Sequence, residues 1–274
     1  MENKNSDPTD EYFGHPTKIA LMKRSEALWT LLRVNPRYSY YGRAVALTDP
    51  KDDTVELLEA LAKVQGVAPC YYFEKSKVLD LFDKLTNKGF TTDRHEHFRG
   101  AEDAYEASKI ILKSHELPND LTIQKLGPDT KRSIIFSTAE LCQSCDVMPL
   151  PGRVMRGQTR AGINLVAINL SGDVVGSASS FQLHHSSSPH CLDVFWGALA
   201  TRPDRRGQKI SLILGAQTIV EMWENFGARG FITGVRSDNN SSINLCNKLG
   251  VHDTDWVFAQ CIYPDLLGTS SVTK

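Results

Sequence analysis

An apolar strand, a basic loop and a long apolar helix follow one another without a break in the last third of the 274-residue chain. The strand is "LDVFWGALAT" (192–201), the loop is "RPDRRGQK" (202–209), and apolar residues then recur at helical spacing to about residue 226. A helix that begins directly after a strand presents its unpaired N–H groups and the positive end of its dipole at the sheet edge. The junction therefore predicts a seat for a phosphate or another anion.

The segments around this junction predict a mixed sheet. A strand at 121–126 and a helix at 131–145 come first, and two apolar strands, 163–170 and 174–183, are separated by the turn "SGD". After the long helix come a strand at 231–237, a helix at 239–250 that begins at an asparagine, and a closing strand at 253–263. This order predicts an α/β fold in which helices cover the faces of a mixed sheet.

The first half of the chain reads as a smaller α/β unit. Apolar residues recur at helical spacing over 54–64, 76–85 and 104–115, and "VAPCYYFE" (67–74) predicts a short strand between the first two helices. The segment "ELPNDL" carries a proline and an Asn-Asp pair, which are typical of a loop. We therefore expect two domains, 1–118 and 119–274.

Composition excludes several classes of partner. The 31 basic and 32 acidic residues leave a net charge of -1, so we expect no general attraction to nucleic acid or to an anionic membrane. The first residues lack the apolar core of a signal peptide, and no apolar run approaches the roughly 20 residues that span a bilayer. A soluble, cytoplasmic protein is expected. Six scattered cysteines do not suggest a disulfide framework, and the Cys142–Cys145 pair lacks a second pair for a metal site.

The loop itself holds the residues an anion site needs. Arg205, Arg206 and Lys209 supply positive charge, and Gly207 permits a close approach of the backbone to a ligand. A basic surface turn with no ligand is the alternative interpretation of these residues.

A second stretch, "GVRSDNNSSINLCNKLGV" (234–251), follows at the distance that favours the first interpretation. Together the two stretches resemble the GNAT superfamily of N-acetyltransferases over residues 119–274. The family's pyrophosphate loop, Gln/Arg-x-x-Gly-x-Gly/Ala, falls on 206–211, where Arg206 matches, Lys209 replaces a glycine and Ser211 replaces the last small residue. In the second stretch the matching positions are Asn239, Ser242, Leu245, Lys248 and Gly250, while Cys246 and Val251 replace a tyrosine and a phenylalanine.

The resemblance implies a GNAT acyl-CoA N-acyltransferase fold and acetyl-CoA as co-substrate, with no metal. The expected reaction is transfer of an acetyl group to the amine of a small molecule or amino acid by direct attack. By the same resemblance, the backbone of Leu199, Ala200 and Thr201 binds the pantetheine arm. The pyrophosphate is expected on the segment made of Arg206, Gly207, Gln208, Lys209, Ile210 and Ser211. Asn239 caps the last helix, either alone or while it also touches the pantetheine with Ser242.

Two residues are candidates for proton transfer. Cys246 stands where the family has its tyrosine acid, and is interpreted either as a thiol acid or as a buried helix residue. Asp193 is the first candidate for the base, and a solvated carboxylate at a strand end is its alternative. Simple alternation puts Asp193 on the face of the strand that also carries Phe195 and Leu199. His184, His185 and His190 are weaker candidates nearby, since a histidine pKa near 6.5 suits proton removal.

The first half contains a faint echo of the second. The strand-helix order of "FEKSKVLDLFDKLTNKGF" (73–90) and its final Lys-Gly-Phe faintly echo "VRSDNNSSINLCNKLGV" (235–251). This echo is consistent with a degenerate GNAT-like half that walls the acceptor pocket or forms the interface of a homodimer. Two other functions stay open: an acyl-CoA sensor without turnover, which the lost glycine and tyrosine favour, and an N-acetyltransferase that acts on protein.

Overall fold

This computed structural model describes residues 11–268 of the chain. These residues form nine α-helices and ten β-strands. The helices are α1 (Pro16–Leu32), α2 (Thr54–Gln65), α3 (Val78–Thr86), α4 (Glu102–Ser114), α5 (Arg132–Ser144), α6 (Gly152–Met155), α7 (Ile210–Phe226), α8 (Asn240–Lys248) and α9 (Pro264–Leu267). The strands are β1 (Tyr38–Tyr40), β2 (Val45–Leu47), β3 (Val67–Glu74), β4 (Thr91–Gly100), β5 (Leu121–Lys125), β6 (Gly162–Asn169), β7 (Val174–Gln182), β8 (Asp193–Thr201), β9 (Gly230–Val235) and β10 (His252–Ile262).

All ten strands belong to one sheet, in the order β1-β2-β3-β10-β4-β9-β8-β7-β6-β5. The predicted mixed α/β sheet with helices on its faces is confirmed, since β2–β3 and β8–β9 are parallel and the other neighbours are antiparallel. Strands from both sides of residue 118 interleave at the centre, where β10 lies between β3 and β4. A domain boundary in the connection 115–120 therefore stays a prediction.

The strand order is symmetric about the β10–β4 pair for the three strands on either side, and β6 and β5 extend the sheet on the β9 side only. On one side, α2 joins the parallel strands β2 and β3, and α3 leads to β4; on the other, α7 joins β8 and β9, and α8 leads to β10. Each half then gives its last strand to the other half, because β4 pairs with β9 and β10 pairs with β3. The segments 73–90 and 235–251, whose patterns echo each other, occupy equivalent places in the two halves.

Helices cover both faces of the sheet. On one face, α7 packs on Trp196 of β8, whose indole N–H donates to the carbonyl oxygen of Gly215 and to the Thr218 hydroxyl, each at 3.1 Å. Helices α2 and α3 bury Leu58 and Leu85 in a cluster with β10. On the other face, α5 and the segment before β2 close over the aromatic side chains of β3, β8 and β10. Each half thus places its parallel strand pair under a helix.

No helix within residues 11–268 is both long enough and apolar enough to cross a membrane. In the same described range, no three His, Cys, Asp or Glu side chains are grouped as a metal site would need. The six cysteines of the chain are all free thiols.

Candidate active site

The site begins where two parallel strands separate. Strands β8 and β9 pair only from Asp193 opposite Gly230 to Phe195 opposite Ile232. Beyond that point β9 continues along β4, up to Val235 opposite Glu96. The backbone of β8 after Phe195 therefore has no strand partner on its β9 side, and its polar groups face the gap.

A bulge on β8 changes which side chains face the gap. Ser179 pairs with Gly197 and Ser177 with Ala200, so β8 has one more residue than β7 across this step. Ala198 takes a positive φ of 51°, and Ser177 donates to its carbonyl oxygen at 3.1 Å. The bulge reverses the alternation, and Leu199 packs in the Trp196 cluster while Phe195 belongs to the cluster on the opposite face. The expectation that Leu199 shares a face with Asp193 and Phe195 is wrong for this reason.

The basic loop ends at the N-terminus of α7 with its donors uncapped by any side chain. Lys209 is the N-cap residue and makes no capping hydrogen bond. It has φ 61° and Gly207 has φ +79°, which is the left-handed conformation that glycine adopts most easily. Lys209 thus keeps the backbone shape of the glycine it replaces. The start of α7 is fixed against β7, because a Cβ on Gly176 would lie 2.4 Å from Cγ2 of Ile210.

The charges of the loop divide into two sets. Arg205 is engaged: its guanidinium lies 2.7 Å and 2.8 Å from the carboxylate of Asp120, and its Nε donates to Gln208 Oε1 at 3.0 Å. Arg206 and Lys209 are exposed, and neither forms an ion pair with any residue between 11 and 268. Two cations are therefore free to meet an anion at this helix terminus.

Helix α8 forms the opposite wall. Asn239 is its N-cap, and its side-chain oxygen accepts a hydrogen bond from the Ser242 N–H at 3.1 Å. Cys246 is 3% exposed among apolar neighbours, and burial raises the pKa of its thiol to about 12. A thiol with so high a pKa is a weak proton donor at neutral pH.

These elements enclose one cavity of about 750 Å³. Of the residues predicted from sequence, those that line it are Leu199, Ala200, Thr201, Arg206, Gly207, Lys209, Ile210, Ser211, Asn239, Ser242 and Cys246. Gln208 and Asp193 do not line it. The structure thus brings most of the predicted residues to one place, although the role of each stays a prediction.

The first half of the chain supplies the other end of the cavity. From the sequence we expected this half to wall the acceptor pocket or to form a dimer interface, but none of its residues was identified. Its residues there are Tyr41, Arg43, Ala44, Val67, Pro69, Tyr71 and His95, and β10 adds Phe258 and Gln260. Tyr41 stacks on Phe195 with ring centroids 4.4 Å apart, and Tyr71 lies at the same distance from Phe258. Gly234 keeps this end open, since a Cβ there would lie 2.7 Å from the Phe258 ring and 3.1 Å from His95 Cβ. These residues come together only because each half of the chain gives its last strand to the other half's part of the sheet. No local sequence pattern predicts this.

His95 is a titratable residue of this end. It is 6% exposed, and its Nδ1 lies 2.9 Å from the side-chain amide nitrogen of Gln260. Burial is the main reason that its pKa lies below the usual 6.5, with nearby Arg236 acting in the same direction and Asp93 against it. At neutral pH the imidazole is uncharged.

Asp193 belongs to a buried network beside the cavity. It is 5% exposed, accepts from Arg99 Nη2 at 2.8 Å and from the Tyr72 hydroxyl at 3.1 Å. The Tyr72 hydroxyl also lies 3.1 Å from His184 Nε2, and the Tyr72 ring stacks on His190 at 3.6 Å. Both carboxylate oxygens of Asp193 are thus engaged by Arg99 and Tyr72. Neither Asp193 nor His184, His185 or His190 lines the cavity.

Comparison of the sequence with protein-family models and with curated proteins finds no match. Solved structures do match. A tandem GNAT protein from the clavulanic acid biosynthesis pathway, solved without AcCoA, aligns with TM-score 0.54 and 12% identity over 78% of this chain and 71% of its own. A GCN5-related N-acetyltransferase from Kribbella flavida gives TM-score 0.52 and 12% identity over 89% of this chain and 95% of its own. A GCN5-related N-acetyltransferase-like protein from Streptococcus suis gives 0.51 and 16%, over 90% and 100%.

The chain therefore has the fold of the GCN5-related N-acetyltransferases, in a two-domain arrangement similar to the tandem GNAT protein. Identities of 12% to 16% show the fold but not the reaction, which has to be inferred from the residues of the cavity.

Proposed function

We propose that the protein is an N-acetyltransferase that moves an acetyl group from acetyl-CoA to the amine of a small molecule. One observation carries the proposal: the unpaired edge of β8 and the uncapped N-terminus of α7 open into the same cavity. Such a pair can hold an extended amide-containing chain and a diphosphate at once. The expected cytoplasmic location is part of the proposal, and a homodimer stays a prediction.

Successive groups of cavity residues would match successive parts of the coenzyme, from the diphosphate to the pantetheine arm. The N–H groups at the start of α7, with Arg206 and Lys209, would hold the diphosphate. The free backbone edge of 199–201 would hold the amides of the pantetheine arm, and Asn239 lies on the facing wall. This direction of binding places the thioester toward Phe195 and the end supplied by the first half of the chain.

When bound, acetyl-CoA supplies an activated acyl carbon. The amine nitrogen forms a bond to that carbon, the carbon–sulfur bond breaks, and the coenzyme thiolate takes up a proton. The amine must first lose its own proton, which needs a neutral acceptor in the cavity. The uncharged imidazole of His95 is the acceptor that we propose in place of Asp193. The Gln260 side-chain amide is then turned so that its oxygen accepts from Nδ1–H, and the lone pair of Nε2 takes the amine proton.

An acyl-CoA sensor is the second candidate function. It is favoured by the buried Cys246 thiol, whose pKa of about 12 makes it a weak substitute for the tyrosine acid of the family. A sensor would bind the coenzyme through the same loop and release no thiol.

Two measurements test the proposal on the full chain. Calorimetry with coenzyme A should give binding that Arg206→Glu weakens strongly, and a thiol-release assay with acetyl-CoA should respond to amines in a panel that includes peptides with a free N-terminus. Binding without thiol release on any amine would favour the sensor. Turnover on peptides alone would indicate that the acceptor is a protein and not a small molecule. Coenzyme affinity unchanged in Arg206→Glu would remove the loop from the site.

A further inference from the structure

The end of the cavity formed by the first half of the chain carries an unmatched positive charge. Arg43 lines this end and is half-buried. One of its Nη atoms donates to the carbonyl oxygen of Met148, and its guanidinium carbon lies 5.7 Å from the centre of the Tyr41 ring. Within residues 11–268 no carboxylate forms an ion pair with it, and its Nε has no hydrogen-bond partner. A half-buried cation in this state is costly unless a ligand supplies the counter-charge.

Three other partly buried arginines around the sheet differ in this respect, whereas Arg24 and Arg160 bind backbone carbonyl oxygens, with no carboxylate partner within residues 11–268, but do not line the cavity. Arg99 lies 2.8 Å from Asp193, Arg156 lies 2.9 Å from Glu11, and Arg236 lies 2.7 Å from Asp93. Each of these guanidinium groups meets a carboxylate of the chain itself. Arg43 instead meets a carbonyl oxygen, a ring face and the cavity.

The charges beside Arg43 keep this wall positive. Burial is the main reason that the pKa of Lys18 is lowered. The nearby charge of Arg43 lowers this pKa further, and Asp146 raises it. Asp146 also lines the cavity. Two cations and one carboxylate therefore share this region, and an anionic group of a ligand is attracted there.

The position of Arg43 is fixed relative to the point where the strands separate. Gly42 has φ +109°, and a Cβ there would lie 2.6 Å from Val154 Cγ2 and 3.0 Å from Pro151 Cδ, so the turn is packed tightly against α6. The neighbouring Tyr41 ring stacks on Phe195, the last β8 residue paired with β9. Arg43 is thus a rigid part of the cavity end.

We propose that the acceptor is an amine that also carries a carboxylate, and that Arg43 binds this carboxylate. The inference rests on the proposed acetyl transfer and narrows its substrate class. With the carboxylate on Arg43, the amine of an amino acid-like acceptor would lie in the same cavity as His95 and the separated edge of β8. A guanidinium can hold a carboxylate through two parallel hydrogen bonds, which fixes orientation as well as charge.

The test compares the twenty amino acids with their amides, which lack only the negative charge. kcat/KM is measured for each pair in the wild type, Arg43→Gln, Arg43→Lys and the control Arg229→Gln, an exposed arginine outside the cavity. We expect Arg43→Gln to lower kcat/KM for the best amino acid by about 30-fold and to leave its amide nearly unchanged. Arg43→Lys should recover part of the loss, and the control should change neither. The amine pKa of each compound is the same for every variant, so it cancels when the acid-to-amide ratio of Arg43→Gln is divided by that of the wild type.

Binding measured without turnover separates the two proposals. Each amino acid and its amide are titrated by calorimetry into the protein saturated with coenzyme A, for the wild type and Arg43→Gln. The inference is supported if an amino acid binds and Arg43→Gln weakens that binding more than it weakens binding of the amide. It is overturned if acid-to-amide ratios are equal in both proteins, or if no amino acid binds. Failure of acetyl transfer itself would show instead as no thiol release while coenzyme A still binds.

Discussion

The two halves of the molecule build the same strand–loop–helix junction with opposite charge. The loop after β8 (202–209) has four basic residues and one aspartate, whereas the loop after β2 (48–53) is shorter by two residues and has three aspartates and one lysine. At the N-terminus of α2, Asp53 is bound by Arg37 at 2.7 Å and 2.8 Å. A diphosphate would meet carboxylates there and free cations at α7. The frame is common to both halves, and loop length and charge decide which half can hold an anion.

The largest expected effect comes from making the loop before α7 acidic, as the corresponding loop before α2 is. Arg206→Glu with Lys209→Glu should weaken coenzyme A binding by roughly 1000-fold, about 4 kcal/mol, because two charge-assisted contacts of about 2 kcal/mol each are replaced by repulsion. Calorimetry measures the dissociation constant. The matched control is Lys51→Glu in the acidic loop, which should leave the affinity unchanged. Equal losses in both variants would mean that the charge difference between the halves is irrelevant to binding.

The next effect concerns stability where the halves meet. Asp193→Asn should lower the free energy of unfolding by about 3 kcal/mol, because Arg99 from the first half loses the buried carboxylate it binds. Urea unfolding followed by circular dichroism measures the loss. Asp53→Asn breaks an exposed Arg–Asp pair of the first half and should cost much less. A small loss at Asp193 together with a large loss of kcat would restore Asp193 as the base.

His95 tests whether the first half takes part in the chemistry. His95→Gln should lower kcat/KM by about 100-fold, the lower end of the range for general acid–base catalysis, and should leave coenzyme A affinity unchanged. Because the folded pKa lies below 6.5, the neutral base is present at pH 7 and activity should fall only as pH drops through that lower pKa. A pH–rate profile from pH 5 to pH 8 shows this limb, which should vanish in the variant. An unchanged profile would assign the limb to another group.

Sequence patterns predicted most elements of the second half, and in the first half they predicted α2, β3, α3 and α4 but missed α1, β1, β2 and β4. The strand at 67–74 is β3 residue for residue, and the end of the long helix near 226 is confirmed where Gly227 takes φ +71°. Strand β4, "TTDRHEHFRG", carries no apolar alternation although it lies at the sheet centre. Its charges are matched by ion pairs, Arg94 with Glu96 on the same strand and Asp93 with Arg236, which directly follows β9. Such pairs are invisible to a hydrophobicity pattern.

The end of the cavity that we propose for the coenzyme was predictable because its residues are local in sequence, within 199–211 and 239–246. The end that we propose for the acceptor was not, because Arg43, Tyr71 and His95 reach it from three separate segments of the other half. Even Leu199, inside the recognised motif, faces the other way because of the bulge at Ala198. Long-range strand exchange and a one-residue bulge leave no local trace in the chain.

Acid should loosen the contact between the halves. His97 on β4 and His184 after β7 are buried, and burial lowers the pKa of each to about 3. Both are neutral when folded and take up a proton near pH 6.5 when unfolded, so their contribution is complete above that pH and is lost as pH falls from 6.5 toward 3. Between pH 7 and pH 5 the loss should be about 2 kcal/mol per histidine. Urea unfolding at several pH values checks this, and His184→Gln should flatten the dependence. A slope that His184→Gln leaves intact would contradict the burial argument.

The smallest effect is expected at Cys246, which stands where the pattern that the second half resembles has a tyrosine. Its side chain is almost fully buried beside Leu249 and Val251, so Cys246→Ala should cost about 1 kcal/mol in unfolding free energy for the lost packing. The maximal rate should stay within twofold between pH 6 and pH 9, because a thiol with a pKa near 12 gives up little proton in that range. Cys142→Ala on α5, equally buried, is the matched control for packing alone. If the rate of Cys246→Ala falls tenfold or more while Cys142→Ala keeps it, the thiol contacts the reacting atoms and the second half retains an acid of its own.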